Sequence, residues 1–417
     1  MRRHLTSSLC VVLATSAVVS AGVVLATATV PAQSPSWPQW RGPARDGVAA
    51  FDAPATWPRT LTRAWDAVVG AGHASPVIAG SRVVVHTRQG EREVVTAFDL
   101  DTGTRLWQDA YDAPYQINPA AQAHGPGPKS TPAVAGGRVL TLGISGVLSA
   151  YDLATGRVQW RTLASPTLPL YGTATSPLVD GDRVIAFLGG HDRGALTAFD
   201  AATGSARWRW TGDGPGYASP VIAELDGTRQ LVTQSQSQLV GLAADDGRLL
   251  WQVPLRTNFD QNSVTPLVVG GLVISSGLEN PTIAYRVSRG AAGWQAQEAW
   301  RNEQVSMYMS SPAAGSQAIF TLSHRNRGQF VALDPATGRT LWTTRGREGD
   351  NASIIRAGPW LLLSTTNGEL IVARASAERF DEVRRYVVAE SVTWAHPAVA
   401  GRTIVVKDVD RLVVWRL

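Results

Sequence analysis

The hydrophobic positions of this chain fall in runs of four to seven residues, rich in Val, Ile and Leu and separated by tight Ala-Gly, Gly-Gly and Gly-Asp turns. Runs of that length between turns predict an antiparallel meander of short strands. The pattern also repeats. Ser75–Val85 reads SPVIAGSRVVV; TPAVAGGRVLT, SPLVDGDRVIA, SPVIAELDGTRQLV, TPLVVGGLVIS and SPAAGSQAIFT follow it, with weaker copies from Ser353 and His396. Pro76, Pro132, Pro177, Pro220, Pro266, Pro312 and Pro397 mark the phase, with Ile354 in the slot between the last two. Eight units of four strands, spaced 42 to 46 residues apart with one interval of 56, predict an all-β, eight-bladed β-propeller of four-stranded antiparallel blades. In unit three the strands are expected at 176–179, 183–188, 195–200 and 206–210.

The last unit lacks a fourth strand: after His396 there is room for three, and the chain ends at Leu417. The segment 61–69, with Trp65, reads as an orphan outer strand ahead of the first complete blade. An N-terminal strand completing the last blade would close the ring and leave no open sheet edge.

A second signature follows the third strand of most units. Asp99–Gly103–Trp107, Asp152–Gly156–Trp160, Asp200–Gly204–Trp208 and Asp334–Gly338–Trp342 share one spacing, and Gly247–Trp251 keeps its last half. Asp and Thr side chains bond turn amides, Gly takes positive φ, and Trp packs on a neighbouring unit. A group used this often is structural, so these residues are assigned to blade docking.

Composition narrows the function. Hydrophobic residues make up 44% of 417, enough for a large core, while charged residues are only 17%, against roughly 25% in an average domain. The formal charge of +5 includes Arg2 and Arg3, and the remaining signs are scattered, so no nucleic-acid partner is implied. Cys10 is the single cysteine. It lies in a segment, residues 1–32, that reads as a signal peptide: a basic start, an apolar stretch from Leu9 to Val30, and small-residue cleavage sites at Ala28 and Ala32. Retention as an anchor is the other reading. Export to the periplasm or beyond is therefore expected, with residues 33–60 as an N-terminal wrapping segment and 61–417 as the propeller. A mature chain without cysteine has no disulfide, thiol nucleophile or Cys-ligated metal.

The unit TPAVAGGRVLTLGISGVLSAYDLATGRVQW resembles the repeat of PQQ-like propellers, the fold of the quinoprotein alcohol dehydrogenases. WPQWRGPARDGVA, residues 37–49, is similar to the opening of many exported bacterial PQQ-like proteins, and LTRAW, residues 61–65, resembles the ring-closing strand of the dehydrogenases. Non-enzymatic, BamB-like members share the same docking motifs. The dehydrogenases carry adjacent cysteines and a Trp-x-x-x-x-Tyr-Asp element; both are missing here, as are an Asn-x-x-Asn-Val run before the closing strand and a haem-binding Cys-x-x-Cys-His.

Propeller geometry puts the connections between strands two and three, and between blades, on one face. That face carries His73, His124, Lys129, Tyr171, Tyr217, Asn262, Tyr308, Asn351 and His396 as candidate ligand contacts, with His86, His191 and His324 beside it. The longest irregular stretch, residues 112–130, explains the 56-residue interval and is a further place for binding. No catalytic residue or metal cluster stands out. The expected function is a non-catalytic binding or scaffold protein of the cell envelope, monomeric, meeting another envelope protein or a small ligand on this face. The alternative is a PQQ- and calcium-dependent dehydrogenase of alcohols or sugars; glycan or peptide binding at the channel mouth is a third reading.

Overall fold

The computed structural model describes residues 36–417; the expected signal peptide lies outside the described residues. Eight antiparallel sheets, seven of four strands and one of five, form the blades of a propeller. Strand A of each blade is innermost and strand D outermost. Blade three has its strands at Leu178–Asp180, Arg183–Leu188, Ala195–Asp200 and Ala206–Trp210, so B, C and D match the expected ranges. Strand A starts two residues later than expected, because Ser176 and Pro177 turn their backbone groups to the propeller axis. Strands B and C are buried on both faces, which is why they read as continuous apolar runs, whereas strand D is half exposed.

Ring closure is as the orphan strand suggested. Thr62–Val68 pairs antiparallel with Arg411–Arg416 and completes blade eight. The degenerate unit is a full blade seven, Ala352–Ala357, Trp360–Thr365, Glu369–Arg374 and Glu382–Val387.

Adjacent blades meet through the repeated turn. Asp152 Oδ1 accepts from the amides of Ala154 (3.1 Å) and Thr155 (2.8 Å) and from the Thr155 hydroxyl (2.8 Å). This holds Gly156 at φ 74°, flat against the Trp107 ring of the preceding blade, whose Nε1 donates to Leu153 O at 2.9 Å. The same dock joins Trp65 to Gly103 and Leu100 O, and Trp160 to Gly204 and Ala201 O. Trp300, which has no Thr-Gly turn of its own, docks on Gly338 and Pro335 O. Trp208 stacks on Gly247 without the hydrogen bond. Trp342 donates to Ser376 O of blade seven, where no Gly receives it. Trp251 does not dock forwards. Blade five replaces the Asp-Thr-Gly turn by a long hairpin (Asn280–Gly290 and Gly293–Asn302), so Trp251 folds onto Gly241 of its own sheet and donates to Gln230 Oε1 at 2.7 Å.

A second set of inter-blade bonds runs around much of the axis, through the Ser or Thr that precedes most of the repeat prolines. His396 N donates to Ser75 Oγ (2.9 Å), Ser75 N to Thr131 Oγ1 (3.2 Å), Thr131 N to Ser176 Oγ (3.0 Å) and Ser176 N to Ser219 Oγ (2.9 Å). Thr265 N donates to Ser311 Oγ (3.0 Å) in the same way. Each hydroxyl thus satisfies a backbone amide of the blade before it.

Residues 36–51 of the N-terminal segment run along the axis, and the chain then passes over blade seven, where Trp57 packs on Trp360 and Pro58 O accepts from the Tyr386 hydroxyl. Ser36–Trp37 adds a fifth, innermost strand to blade one, against Ile78 and Ala79. The chain then turns at residues 39–47 and returns, forming bridges from Val48 to Arg356 and from Phe51 to Gly401. Arg41 donates to Ser311 O and Pro312 O, while Arg45 donates to Ser176 O and Pro177 O across the channel. Strand A edges face the axis with unpaired backbone groups, and this hairpin supplies partners for them. Two buried guanidiniums, each offering several N–H donors to carbonyl oxygens, suit that role better than apolar side chains.

The docking geometry predicts a graded response to alanine. A Cβ at Gly156 would sit 2.5 Å from the Trp107 ring, whereas one at Gly181, also at positive φ, would meet nothing within 4 Å. Gly181→Ala is expected to cost about 1 kcal/mol, from backbone conformation alone. Gly156→Ala should cost about 2–4 kcal/mol, because overpacking is added. Urea midpoints of the two variants check this; equal losses would mean that the indole moves aside freely.

Candidate functional site

The face opposite the Asp-Thr-Gly turns opens into a cup of about 610 Å³, the size of an ordinary small-molecule site. Its walls are mainly the connections between blades. The tip of the axial hairpin is its floor: the Trp40 indole donates to Thr265 Oγ1 at 2.8 Å and packs 4.3 Å from the His396 ring. The channel is therefore stopped partway.

Eight of the nine expected ligand contacts line this cup: His73, His124, Lys129, Tyr171, Tyr217, Tyr308, Asn351 and His396. Asn262 is the exception. Its amide is buried and donates to the carbonyls of Ser235, Gln236 and Leu255, so it pins the loop between blades four and five. The long stretch 112–130 also reaches the cup. Its 3-10 turn, Pro119–His124, is capped by Asn118 Oδ1, which accepts from Ala120 N at 2.9 Å, and it presents Asn118, Ala121 and His124 to the cavity. His191 and His324 buttress the wall: His191 Nε2 lies 3.3 Å from the Tyr217 hydroxyl, and His324 Nδ1 lies 3.0 Å from Ser306 O. His86 belongs elsewhere, in a fully buried cluster between blades one and two. There the Tyr111 hydroxyl donates to Glu93 Oε2 at 2.5 Å, Ile144 N donates to Glu93 Oε1, and His86 Nε2 is 3.5 Å from the same carboxylate.

The wall has two chemically distinct halves. One is a chain of neutral polar groups: Tyr308 donates to Gln261 Oε1, and Gln261 Nε2 donates to the Tyr171 hydroxyl at 3.1 Å. The other half is basic and aromatic. His124 lies 4.7 Å from the Trp394 ring and 5.7 Å from that of His73. Lys129 Nζ donates to Tyr171 O at 2.7 Å. Burial pushes Lys129 down to about 8 and His73 down to about 3, the latter helped by the nearby positive charge of Lys407. His396 falls to about 3 through burial and the Arg41 guanidinium. Beneath the floor, burial lowers Arg41 to about 10 and Arg45 to about 9. Lys407, the only other lysine, is buried behind His73 and donates to the carbonyls of Gly72, Asp408 and Val409.

No Asp or Glu lines the cup. Among the described residues, no group of three or more His, Cys, Asp or Glu is placed to hold a metal ion. Calcium takes six to eight oxygen ligands, with carboxylates prominent among them. The neutral oxygens here, under several buried cations, do not fit a calcium-bound quinone.

Gln261, Phe259 and Met309 also line the cup and were not singled out from the sequence, and Trp40, expected only as an aromatic of the N-terminal segment, lines it too. The Trp-Pro-Gln-Trp pair held a clue: Trp37 is buried as part of the fifth strand, and three residues on the turn aims Trp40 the other way, into the cavity.

An eight-bladed propeller of four-stranded antiparallel blades, closed by an N-terminal strand, defines the chain as a PQQ-like propeller. The chain belongs to the PQQ-like family whose model is described as outer membrane protein assembly factor BamB, which matches residues 44–208 and 91–344. It is 26% identical over 303 residues to the outer membrane protein assembly factor BamB of Yersinia pestis, spanning 68% of this chain and 70% of that one. Among solved structures it resembles BamB from Moraxella catarrhalis, with a TM-score of 0.62 at 17% identity, covering 86% of this chain and 98% of that one. It also resembles the quinohemoprotein alcohol dehydrogenase from Comamonas testosteroni, with a TM-score of 0.68 at 15% identity, covering 92% of this chain and 80% of that one. These two structural likenesses carry the fold alone.

The buried histidines make stability depend on pH. His73 and His396 stay neutral in the fold down to about pH 3, whereas in the unfolded chain each takes a proton near 6.5. Their neutral forms favour the fold above pH 6.5, and that contribution is lost as pH falls towards 3. Between pH 7 and pH 5 the loss should be about 2 kcal/mol per histidine. Urea unfolding of wild type and His396→Gln at both pH values checks this: the variant should lose measurably less on acidification, whatever its stability at pH 7.

Proposed function

We propose that this protein is a non-catalytic binding or scaffold propeller of the cell envelope, using the cup-bearing face to meet a ligand or an envelope partner. The observation that carries the reading is the cup itself, concave and walled by aromatic and basic groups, with no carboxylate to act as a general base or to hold calcium. Family membership supports it, because the matching model and the Yersinia pestis relative are both described as an outer membrane protein assembly factor. The apolar stretch at Leu9–Val30 supports export to the periplasm. Among the described residues no helix is long and apolar enough to cross a membrane. A monomer meeting another envelope protein is the proposed assembly.

The dehydrogenase alternative rests on the fold likeness to the Comamonas testosteroni enzyme, and the cup's residues disagree with it. Titrating PQQ with calcium chloride into the folded protein, followed by tryptophan fluorescence and heat, tests the choice. A flat titration is expected. Saturable, calcium-dependent binding at micromolar concentration would replace the scaffold reading by a quinoprotein one and call for a dye-reduction screen on alcohols and sugars.

A further inference from the structure

The polar groups of the cup are unbalanced in one direction. Lys129 has three N–H donors and one acceptor, Tyr171 O. The Tyr171 hydroxyl accepts from Gln261, and its own proton has no acceptor among the hydrogen bonds of the described residues. Beside Lys129 stands His124, half-buried, with its ring on the Trp394 edge. Below the floor Arg45, buried, bonds only to Gln39 Oε1 and backbone carbonyls, and Ser176, one of its acceptors, is itself a lining residue. Lys129 bonds Tyr171 O and has His73 and His124 as titratable neighbours, neither of them acidic. Positive charge in a half-dry cavity without a counter-ion attracts an anion strongly, because screening by water is reduced. Leu170, Ala174, Met309 and the exposed Phe259 add apolar surface to a wall that otherwise carries neutral hydroxyl and amide groups.

We propose that the cup binds a small organic acid, one carboxylate on an aromatic or bulky apolar body, with the carboxylate on the Lys129 ammonium and the body against Trp394 and Trp40. The inference rests on the binding reading above and names the ligand class for that face. The volume suits a free small molecule rather than a folded partner.

The probe is 2-naphthoate, compared with the isosteric neutral 2-naphthamide, by calorimetry and tryptophan fluorescence on the full chain. Saturable naphthoate binding is expected, with the amide at least tenfold weaker. Because burial places Lys129 at about 8, naphthoate affinity should fall about tenfold from pH 7 to pH 9 as the ammonium deprotonates. Lys129→Met should abolish the preference for the acid over the amide, while Lys129→Arg should keep it; thermal melts confirm that both variants fold. Equal binding of acid and amide, no binding of either, or an unchanged preference in Lys129→Met would overturn the proposal. The wild-type acid–amide comparison stands even where a variant misfolds. Capture of an envelope partner by a protein that binds no naphthoate would sink this inference and leave the scaffold reading intact, so the two fail separately.

Discussion

The inner edge of each blade is the constraint on which the rest of this molecule depends. Eight short A strands face a common axis, and each exposes backbone amides and carbonyls that the sheet itself cannot pair. Two devices meet that demand. The hydroxyls of the Ser-Pro and Thr-Pro repeats tie one blade's amide to the next, and the hairpin at 36–51 reaches blades on opposite sides through Arg41, Arg45 and backbone bridges. Gly42 and Gly47 make its tight turn possible: a Cβ at Gly42 would meet the Trp37 ring at 2.7 Å, and one at Gly47 would meet Ile354 O at 2.8 Å. Because the hairpin stops at Trp40, one end of the channel is packed and the other is a cup. The cup is thus a by-product of how the axis is filled.

Charge is distributed to the same effect. Several arginines form ion pairs on the surface, such as Arg385 with Glu382 and Glu369, or Arg301 with Glu298, worth little individually in water. Lys407 is buried and Lys129 half-buried in the cup wall, each bonded to neighbouring carbonyls. Acidic groups are absent from the cup lining, although they are plentiful on the opposite turns.

The architecture was legible because the repeat states it many times over. Proline phase, alternating runs and the Asp-Thr-Gly-Trp turn each fixed the same eight units, and the missing fourth strand pointed to the N-terminus. The cup was legible only by face: a loop's side of the propeller follows from strand order, so eight of nine candidates converge there. Asn262 escaped because pattern places a residue on a loop without saying whether its amide turns inwards to three carbonyls. Trp251 escaped because its dock depends on the next blade's turn, which blade five lacks. The hairpin's path was invisible for a related reason. Its partners are backbone carbonyls, which any residue supplies, so Arg41 and Arg45 left no complementary signature. Similarly, the repeat Ser and Thr were read as neighbours of a phase-marking proline, although their hydroxyls carry the inter-blade bond.

Ring closure has a consequence for the order of events during synthesis. Asp66 and Arg411 are paired in blade eight yet 345 residues apart in sequence. The strand at 62–68 leaves the ribosome early and has no partner until nearly the whole chain exists, so this blade has the highest contact order in the molecule. Until then the strand is a bare edge able to pair with foreign strands. Thr62 and Arg63 at its start and Asp66 in its middle make that waiting strand polar, and Val68 is its one large apolar side chain left exposed after closure. The seam where the circle is fastened is thus also the place where a nascent chain is most open to the wrong neighbour.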